Sequence, residues 1–206
     1  MLIGYFGDGP WSHKALKKIM SDPNNKVSFV CTRFKNSDMK LESIAALNKI
    51  PFFSVRSINT KASLDFLKGF NCDIFISMSF DQIFRSKIIN LPRLGIINCH
   101  AGRLPFYRGR NVINWALIND ERNIGITVHH VDENIDTGDI ILQSTLKIDD
   151  KDNYYTLLYR CYDACANLLF EAIDQINKDA SRRIPQKSLD PVGSYFRKRR
   201  PGDENI

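Results

Sequence analysis

Short apolar runs alternate with helix-patterned segments along most of this 206-residue chain, and that alternation limits the fold more than any other feature. Leu2–Phe6, Val27–Cys31, Phe52–Val55, Asp73–Met78 and Leu94–Ile97 are apolar runs of strand length. Helical spacing fills the intervals at Trp11–Met20, Leu41–Asn48 and Ala62–Phe70, with a short helix expected within Asp81–Ile89. Steps of about 20–25 residues of this kind are the pattern of a doubly wound, mostly parallel α/β sheet. Beyond them come a helix at Asn111–Asn119 and two alternating runs, Ile126–Val131 and Ile140–Leu146, which read as an antiparallel addition to the sheet. Asn153–Ile176 is the longest helix, with Leu157, Leu158, Cys161, Cys165, Leu168, Leu169 and Ile173 recurring at steps of three to four residues. From Ser181 onward the chain is polar and contains prolines. There is no internal repeat and no linker, so the expectation is one domain over residues 1–180 with an extended tail at 181–206.

Hydrophobic content of 43% and charged content of 25% are ordinary for a globular protein. The formal charge of +6 comes without a disordered basic arm or an aromatic-basic binding signature. It therefore suits an anionic small ligand at least as well as nucleic acid, and nucleic acid is not expected as a partner. Part of the excess sits in Arg197-Lys198-Arg199-Arg200, a kind of run that is usually a solvated tail. The five cysteines show no paired metal-ligand spacing, so neither a zinc site nor a disulfide framework is expected, and no metal is implied. Cys161 and Cys165 fall on one helical face and read as core; Cys99 should point away from its two neighbours on a strand. The chain starts directly as a strand and has no apolar run of membrane-spanning length. A cytoplasmic location, with no membrane partner, is the expectation.

Asn98-Cys99-His100 directly follows the apolar run Leu94–Ile97, and residues at the carboxyl end of such a strand are where open α/β sheets bind ligands. Leu104-Pro105-Phe106-Tyr107-Arg108-Gly109 comes next, and Asp136-Thr137-Gly138-Asp139 follows later. Each residue alone has an ordinary explanation: a turn former for Asn98 or Asp136, a satisfied histidine for His100. Together they supply the parts of acyl transfer to an amine. An imidazole exchanges protons near neutral pH, an asparagine NH₂ donates to a developing oxyanion, and a carboxylate orients the imidazole or accepts a proton. Gly7-Asp8-Gly9 after the first strand falls short of a dinucleotide fingerprint, and no acidic residue ends the second strand. The role expected of that turn is to bring Gly9 and the amides of a helix start near an anionic group.

The segment from about Asn71 to Gln143 resembles the catalytic core of the folate-dependent formyltransferases. Asn-x-His, Leu-Pro-x-x-Arg-Gly and Asp-x-Gly-Asp occur here in the family's order. One local departure is Gly102-Arg103, where the family usually has Ser-Leu. The resemblance implies the family's Rossmann-like formyltransferase fold, with Asn98, His100 and Asp136 as catalytic residues and 10-formyltetrahydrofolate as co-substrate. It also implies that the pterin is held mostly by backbone groups of Phe80-Asp81-Gln82-Ile83-Phe84 and of Glu133-Asn134-Ile135, with Ile83, Phe84 and Ile135 as apolar walls.

Within the family, methionyl-tRNA enzymes carry a second basic domain, which this chain, ending at Ile206, is expected to lack. Glycinamide ribonucleotide enzymes run from the first strand into a Gly-x-Gly-Ser-Asn loop, unlike Gly7-Asp8-Gly9-Pro10-Trp11. The opening Phe-Gly-Asp-Gly-x-Trp and the ending Ser194–Asp203 are similar to the branch acting on nucleotide-linked amino sugars of lipopolysaccharide O-antigens and other surface polysaccharides. That branch implies an acceptor such as a dTDP-4-amino-4,6-dideoxyhexose, met by Gly9, Trp11, Lys14, Arg108, Gly109 and Arg110, and a possible homodimer. Glycinamide ribonucleotide formylation, and a relative that hydrolyses formyltetrahydrofolate, stay open as alternatives.

Overall fold

The computed structural model describes residues 1–203; the last three positions of the expected tail lie outside the described residues. Packing divides the chain into two compact units, Met1–Asn98 with His130–Glu133, and Cys99–His129 with Asn134 onward.

The first unit contains β1 (Leu2–Gly7), α1 (Gly9–Met20), β2 (Lys26–Thr32), α2 (Met39–Leu47), β3 (Phe52–Ser54), α3 (Lys61–Lys68), β4 (Ile74–Met78) and α4 (Ser86–Ile89). It also contains the start of β5 (Ile96–His100). Their pairings are parallel: β1 with β2 and β4, β2 with β3, and β4 with β5. This is the parallel sheet that the alternation of runs implies. Gly4 is needed at the centre of β1, since a Cβ there would lie 2.5 Å from both the Phe29 and Phe75 rings. Phe6 packs edge-on against Phe29, Phe75, Phe80 and Phe84, each with centroids 5.3 Å apart. Such pairs add about 0.5–1.5 kcal/mol each beyond burial, so the aromatic cluster anchors the strand ends from which the loops project. Pro10 lies in the first turn of α1, where its missing N–H costs nothing. Asp38 caps α2 by accepting from the Lys40 and Leu41 amides, and Thr60 caps α3 through the Ser63 amide.

In the second unit are β6 (Arg108–Gly109), α5 (Val112–Ile118), β7 (Asn123–His130), β8 (Ile140–Lys147), α6 (Tyr154–Asn177), α7 (Gln186–Leu189) and β9 (Tyr195–Phe196). β7 and β8 are antiparallel, as their alternation suggests. In the first unit the hydrogen-bonded strand order is β3-β2-β1-β4-β5. α6 begins with a capping box between Asn153 and Thr156 and packs on β8 and α5. It buries Leu157, Cys161, Cys165, Leu168, Leu169 and Ile173, the stripe read from the sequence except for Leu158, which is half-buried. At about 1.5–3 kcal/mol for each fully buried large apolar side chain, this stripe explains why the longest helix forms here.

Two details differ from the sequence reading. The apolar run read at Leu94–Ile97 forms a strand that spans Ile96–His100, in which Cys99 is buried and donates toward the Cys165 carbonyl. Asn98 and His100 flank Cys99 on that strand, as the expected alternation has it. The segment after Ser181 also carries regular structure: α7, and β9 paired in parallel with β6. Among the described residues no helix is long and apolar enough to cross a membrane.

Candidate active site

With Cys99 turned into the interior, strand alternation sends Asn98 and His100 to the opposite face. The His100 ring is mostly buried, and its Nε2 lies 2.6 Å from the Tyr107 carbonyl oxygen. A carbonyl only accepts, so Nε2 carries a proton. Nδ1 then faces the Asp136 carboxylate, with Oδ2 at 3.6 Å. Gly102 makes this arrangement possible. A Cβ at that position would stand 2.5 Å from both His100 Nε2 and the Tyr107 oxygen, so glycine lets the imidazole and that carbonyl lie as close as they do.

Asp136 adopts the left-handed conformation (φ 56°), which aspartate tolerates better than most residues. Its Oδ2 accepts from the Gly109 amide at 2.9 Å, and its Oδ1 lies 3.6 Å from Nε2 of the buried His129. Burial by itself would raise this carboxyl. The His100 charge, the bond and charge of His129, and the Gly109 N–H outweigh burial and hold it well below the usual carboxylate range. Asp136 is thus a buried anion between two imidazoles at any pH near neutral. Gly109 can serve only as glycine: its φ is +99°, and a Cβ would meet the Phe196 oxygen at 2.2 Å.

The motif loop is braced from below. The buried Thr127 hydroxyl donates to the Gly102 carbonyl (2.7 Å) and accepts from the Leu104 amide (3.3 Å) and from Gln143 Nε2 (2.8 Å). Gln143 also donates to the Leu104 carbonyl at 2.8 Å. Tyr107 stacks on Phe196 (4.6 Å, 17°), and its hydroxyl donates to Glu121 and accepts from Asn119.

A family model described as formyl transferase matches residues 5–173. The chain belongs to that family. Among its curated relatives, the bifunctional polymyxin resistance protein ArnA of Wigglesworthia glossinidia brevipalpis is 35% identical over 167 residues, covering 81% of this chain and 25% of that protein. A methionyl-tRNA formyltransferase of Agathobacter rectalis is 34% identical over 148 residues, covering 72% and 48%. This chain therefore spans between a quarter and about half of the length of these relatives. The fold is also that of solved structures. WlaRD, described as a sugar 3N-formyl transferase in the presence of dTDP and 5-N-formyl-THF, superposes with a TM-score of 0.74 at 21% identity, over 96% of this chain and 70% of that one. Glycinamide ribonucleotide transformylase 1 of Symbiobacterium toebii gives 0.78 at 20% identity, over 89% and 94%.

For this formyl transferase chain, the ligand residues expected from sequence have these surroundings. In the first unit, the Phe80–Phe84 loop is tied to the segment before α3. Gln82 accepts from the Ile58 amide and donates to the Val55 carbonyl, while Asn59 donates to the Ile83 carbonyl and accepts from the Arg85 amide. Asp81 and Ile83 are exposed and Phe80 is half-buried, but Phe84 is buried in the aromatic core and offers no open wall. The Glu133 side chain accepts from the Ser86 amide at the start of α4. In the second unit, Asn134 and Ile135 are exposed.

At the start of α1, Trp11 and Lys14 are half-buried. The Gly9 amide, expected to face a substrate anion, instead donates to Asp38 Oδ2 at 2.7 Å, which also lies 2.6 Å from His13 Nε2. Arg108 has a similar internal commitment: its guanidinium bonds Gln186 and the Val192 carbonyl. Arg110 is exposed. His129, Thr127 and Gln186 escaped sequence reasoning. A histidine inside the buried run of β7 was a usable signal for the first; nothing local marked Gln186.

Proposed function

We propose that this chain transfers a formyl group from 10-formyltetrahydrofolate to the amine of a nucleotide-linked amino sugar, with Asn98, His100 and Asp136 as the catalytic residues. The observation that carries the chemistry is the buried Asp136 anion, bonded to the Gly109 amide and within 3.6 Å of His100 and His129. In the proposed reaction the neutral amine attacks the formyl carbon and a C–N bond forms as the carbonyl oxygen takes negative charge. The Asn98 NH₂ and a protonated His100 Nδ1 stabilise that oxyanion, with Asp136 balancing the imidazolium charge. Asp136 accepts the amine proton through water, the bond to the folate nitrogen breaks, and a proton returns to that nitrogen as tetrahydrofolate leaves. The backbone groups of residues 80–84 and 133–135 are the proposed pterin contacts. The bonds of Gln82 and Asn59 support the first of these loops.

The choice of acceptor rests on the basic segment near the end of the described chain. Arg197 ion-pairs with Asp203 and lies over the Trp115 ring, the Arg199 amide donates to Asn111, and the Arg110 amide donates to the Phe196 carbonyl. This run is folded beside the motif loop, not free in solvent. Its arginines and lysine, with Arg110, suit the diphosphate of a nucleotide sugar. A Helicobacter canadensis N-formyltransferase of this fold was solved with folinic acid and dTDP-3-aminofucose, which supports the same reading.

Glycinamide ribonucleotide is the second reading, favoured by the Symbiobacterium match, and the sequence relatives make methionyl-tRNA the third acceptor to test. The experiment offers purified protein 10-formyltetrahydrofolate with dTDP-, UDP- and GDP-amino sugars, glycinamide ribonucleotide and methionyl-tRNA. Mass spectrometry then seeks the added CO. Formylation of an amino sugar alone is the expected result. Formylation of another acceptor alone overturns the acceptor choice, and release of free formate without any acceptor overturns the transfer reading.

A further inference from the structure

Gln186 opens α7, far in sequence from the motif loops, and is 2% exposed. Every hydrogen-bonding capacity of its side chain is used. Oε1 accepts both Nε (3.0 Å) and Nη2 (2.8 Å) of Arg108, and Nε2 donates to the carbonyls of Asp136 and Gly138, each at 2.8 Å. Arg108 precedes Gly109, whose amide holds the Asp136 carboxylate at 2.9 Å. The bonds close a ring: Gln186 to Arg108, along the chain to Gly109, across to the Asp136 carboxylate, and back from the Asp136 carbonyl to Gln186.

We propose that Gln186 is a positioning residue that fixes the Asp136 carboxylate against His100 for formyl transfer. Asp136 sits at φ 56°, where its backbone gains little from local preference and depends on outside bonds. Gln186 supplies those bonds at the carbonyls on either side of Thr137, the turn that aims the carboxylate. The segment around Gln186 is anchored without it. Ile184 exchanges two backbone bonds with Ile140, and Ser194 accepts from the Tyr107 and Arg108 amides and donates its own amide to the Pro105 carbonyl. Loss of the Gln186 amide therefore perturbs the Asp136 turn more than the attachment of the segment.

This inference rests on the proposed formyl transfer for its kinetic consequence, but not for its structural one. Q186E keeps the acceptor for Arg108 and replaces the donor to the turn with a carboxylate oxygen set against two carbonyls. The expected result is a kcat lower by about 10²-fold, the cost of a misplacement near 1 Å, with little change in KM for either substrate. The Gly109 amide proton should also move upfield in NMR spectra as its bond to Asp136 lengthens. Asp190→Asn, which weakens the turn capped by the Val192 and Gly193 amides, should leave kcat unchanged. Should Q186E not fold, Q186N, whose amide falls short of the turn, takes its place with the same expected readouts. Wild-type kcat in the Gln186 variant, an unmoved Gly109 amide, or an equal kcat loss in D190N would each overturn the proposal. Absence of any transfer by the wild-type protein would refute the proposed function, while the Gly109 signal would still decide the positioning.

Discussion

Replacing Asp136 with asparagine keeps the shape of the residue at the centre of the site and removes its charge. At the 3.6 Å separating His100 Nδ1 from Asp136 Oδ2, a charged imidazole and a carboxylate attract by about 5 kcal/mol at an effective dielectric near 20. Part of that attraction offsets the cost of burying both groups, and part is available to an imidazolium that stabilises an oxyanion. Loss of the proton acceptor acts on the same step, and general acid–base groups contribute about 10²–10⁴-fold. D136N should therefore lower kcat by about 10²–10⁴-fold, or ~3–5 kcal/mol in barrier height. An asparagine oxygen can still accept from the Gly109 amide, so the fold should survive, but the stability loss should exceed ~1 kcal/mol, the difference between a charge-assisted and a neutral bond, because the pull of the two imidazoles on the carboxylate is lost as well. The assay is the initial rate of tetrahydrofolate release beside a urea unfolding curve. A folded D136N protein retaining more than about a tenth of the wild-type rate would refute the argument, since the lower bound for such a group is near 10².

Three further outcomes follow from the same geometry. The folded Asp136 carboxyl is depressed below its unfolded value of about 3.9, so its stabilisation is fully present above that pH and is lost as pH falls through the folded value. Urea midpoints of the wild type should thus fall below pH 4 more steeply than those of D136N, and parallel curves would contradict the shift. Gly109→Ala should cost at least about 2 kcal/mol in denaturant unfolding, because a left-handed backbone and a 2.2 Å clash with the Phe196 oxygen are combined there. Thr127→Val should destabilise by about 1–3 kcal/mol, since it removes three hydrogen bonds at a buried site, although Gly102, Leu104 and Gln143 each keep another bond. Wild-type stability in either variant would show that the loop is braced elsewhere.

The parallel sheet and the long helix were legible because burial imposes periodicity: β1 and β4 had to be apolar, and α6 had to carry a stripe from Leu157 to Ile173. The family motif was legible for a different reason, since Asn98, His100 and Asp136 stand in a recognisable order. The end of β5 was less sharply marked, because Asn98 and His100 are polar; the alternation that turns Cys99 inward, toward the Cys165 carbonyl, carries the strand to His100. The β6–β9 pair could not be read from so short a run: two residues make no pattern, and the pairing depends on Gly109 allowing the Phe196 backbone to approach. Phe84 looked like a ligand wall because it lies in the expected pterin loop, but it turns inward against Phe6 and Phe80. Gln186 gave no local signal, because its partners lie 78 and about 50 residues away in sequence and a single glutamine in a polar segment marks nothing.

The central claim is that Asn98 and His100 act together on a formyl carbon. It is tested most directly by single-turnover transfer of a ¹³C-labelled formyl group from 10-formyltetrahydrofolate to the preferred amine, comparing wild type with Asn98→Ala and His100→Ala. The account predicts transfer by the wild type and rates lower by at least about 10²–10³-fold in each folded variant, the usual cost of losing one oxyanion donor. Transfer at near wild-type rate by either variant would contradict it.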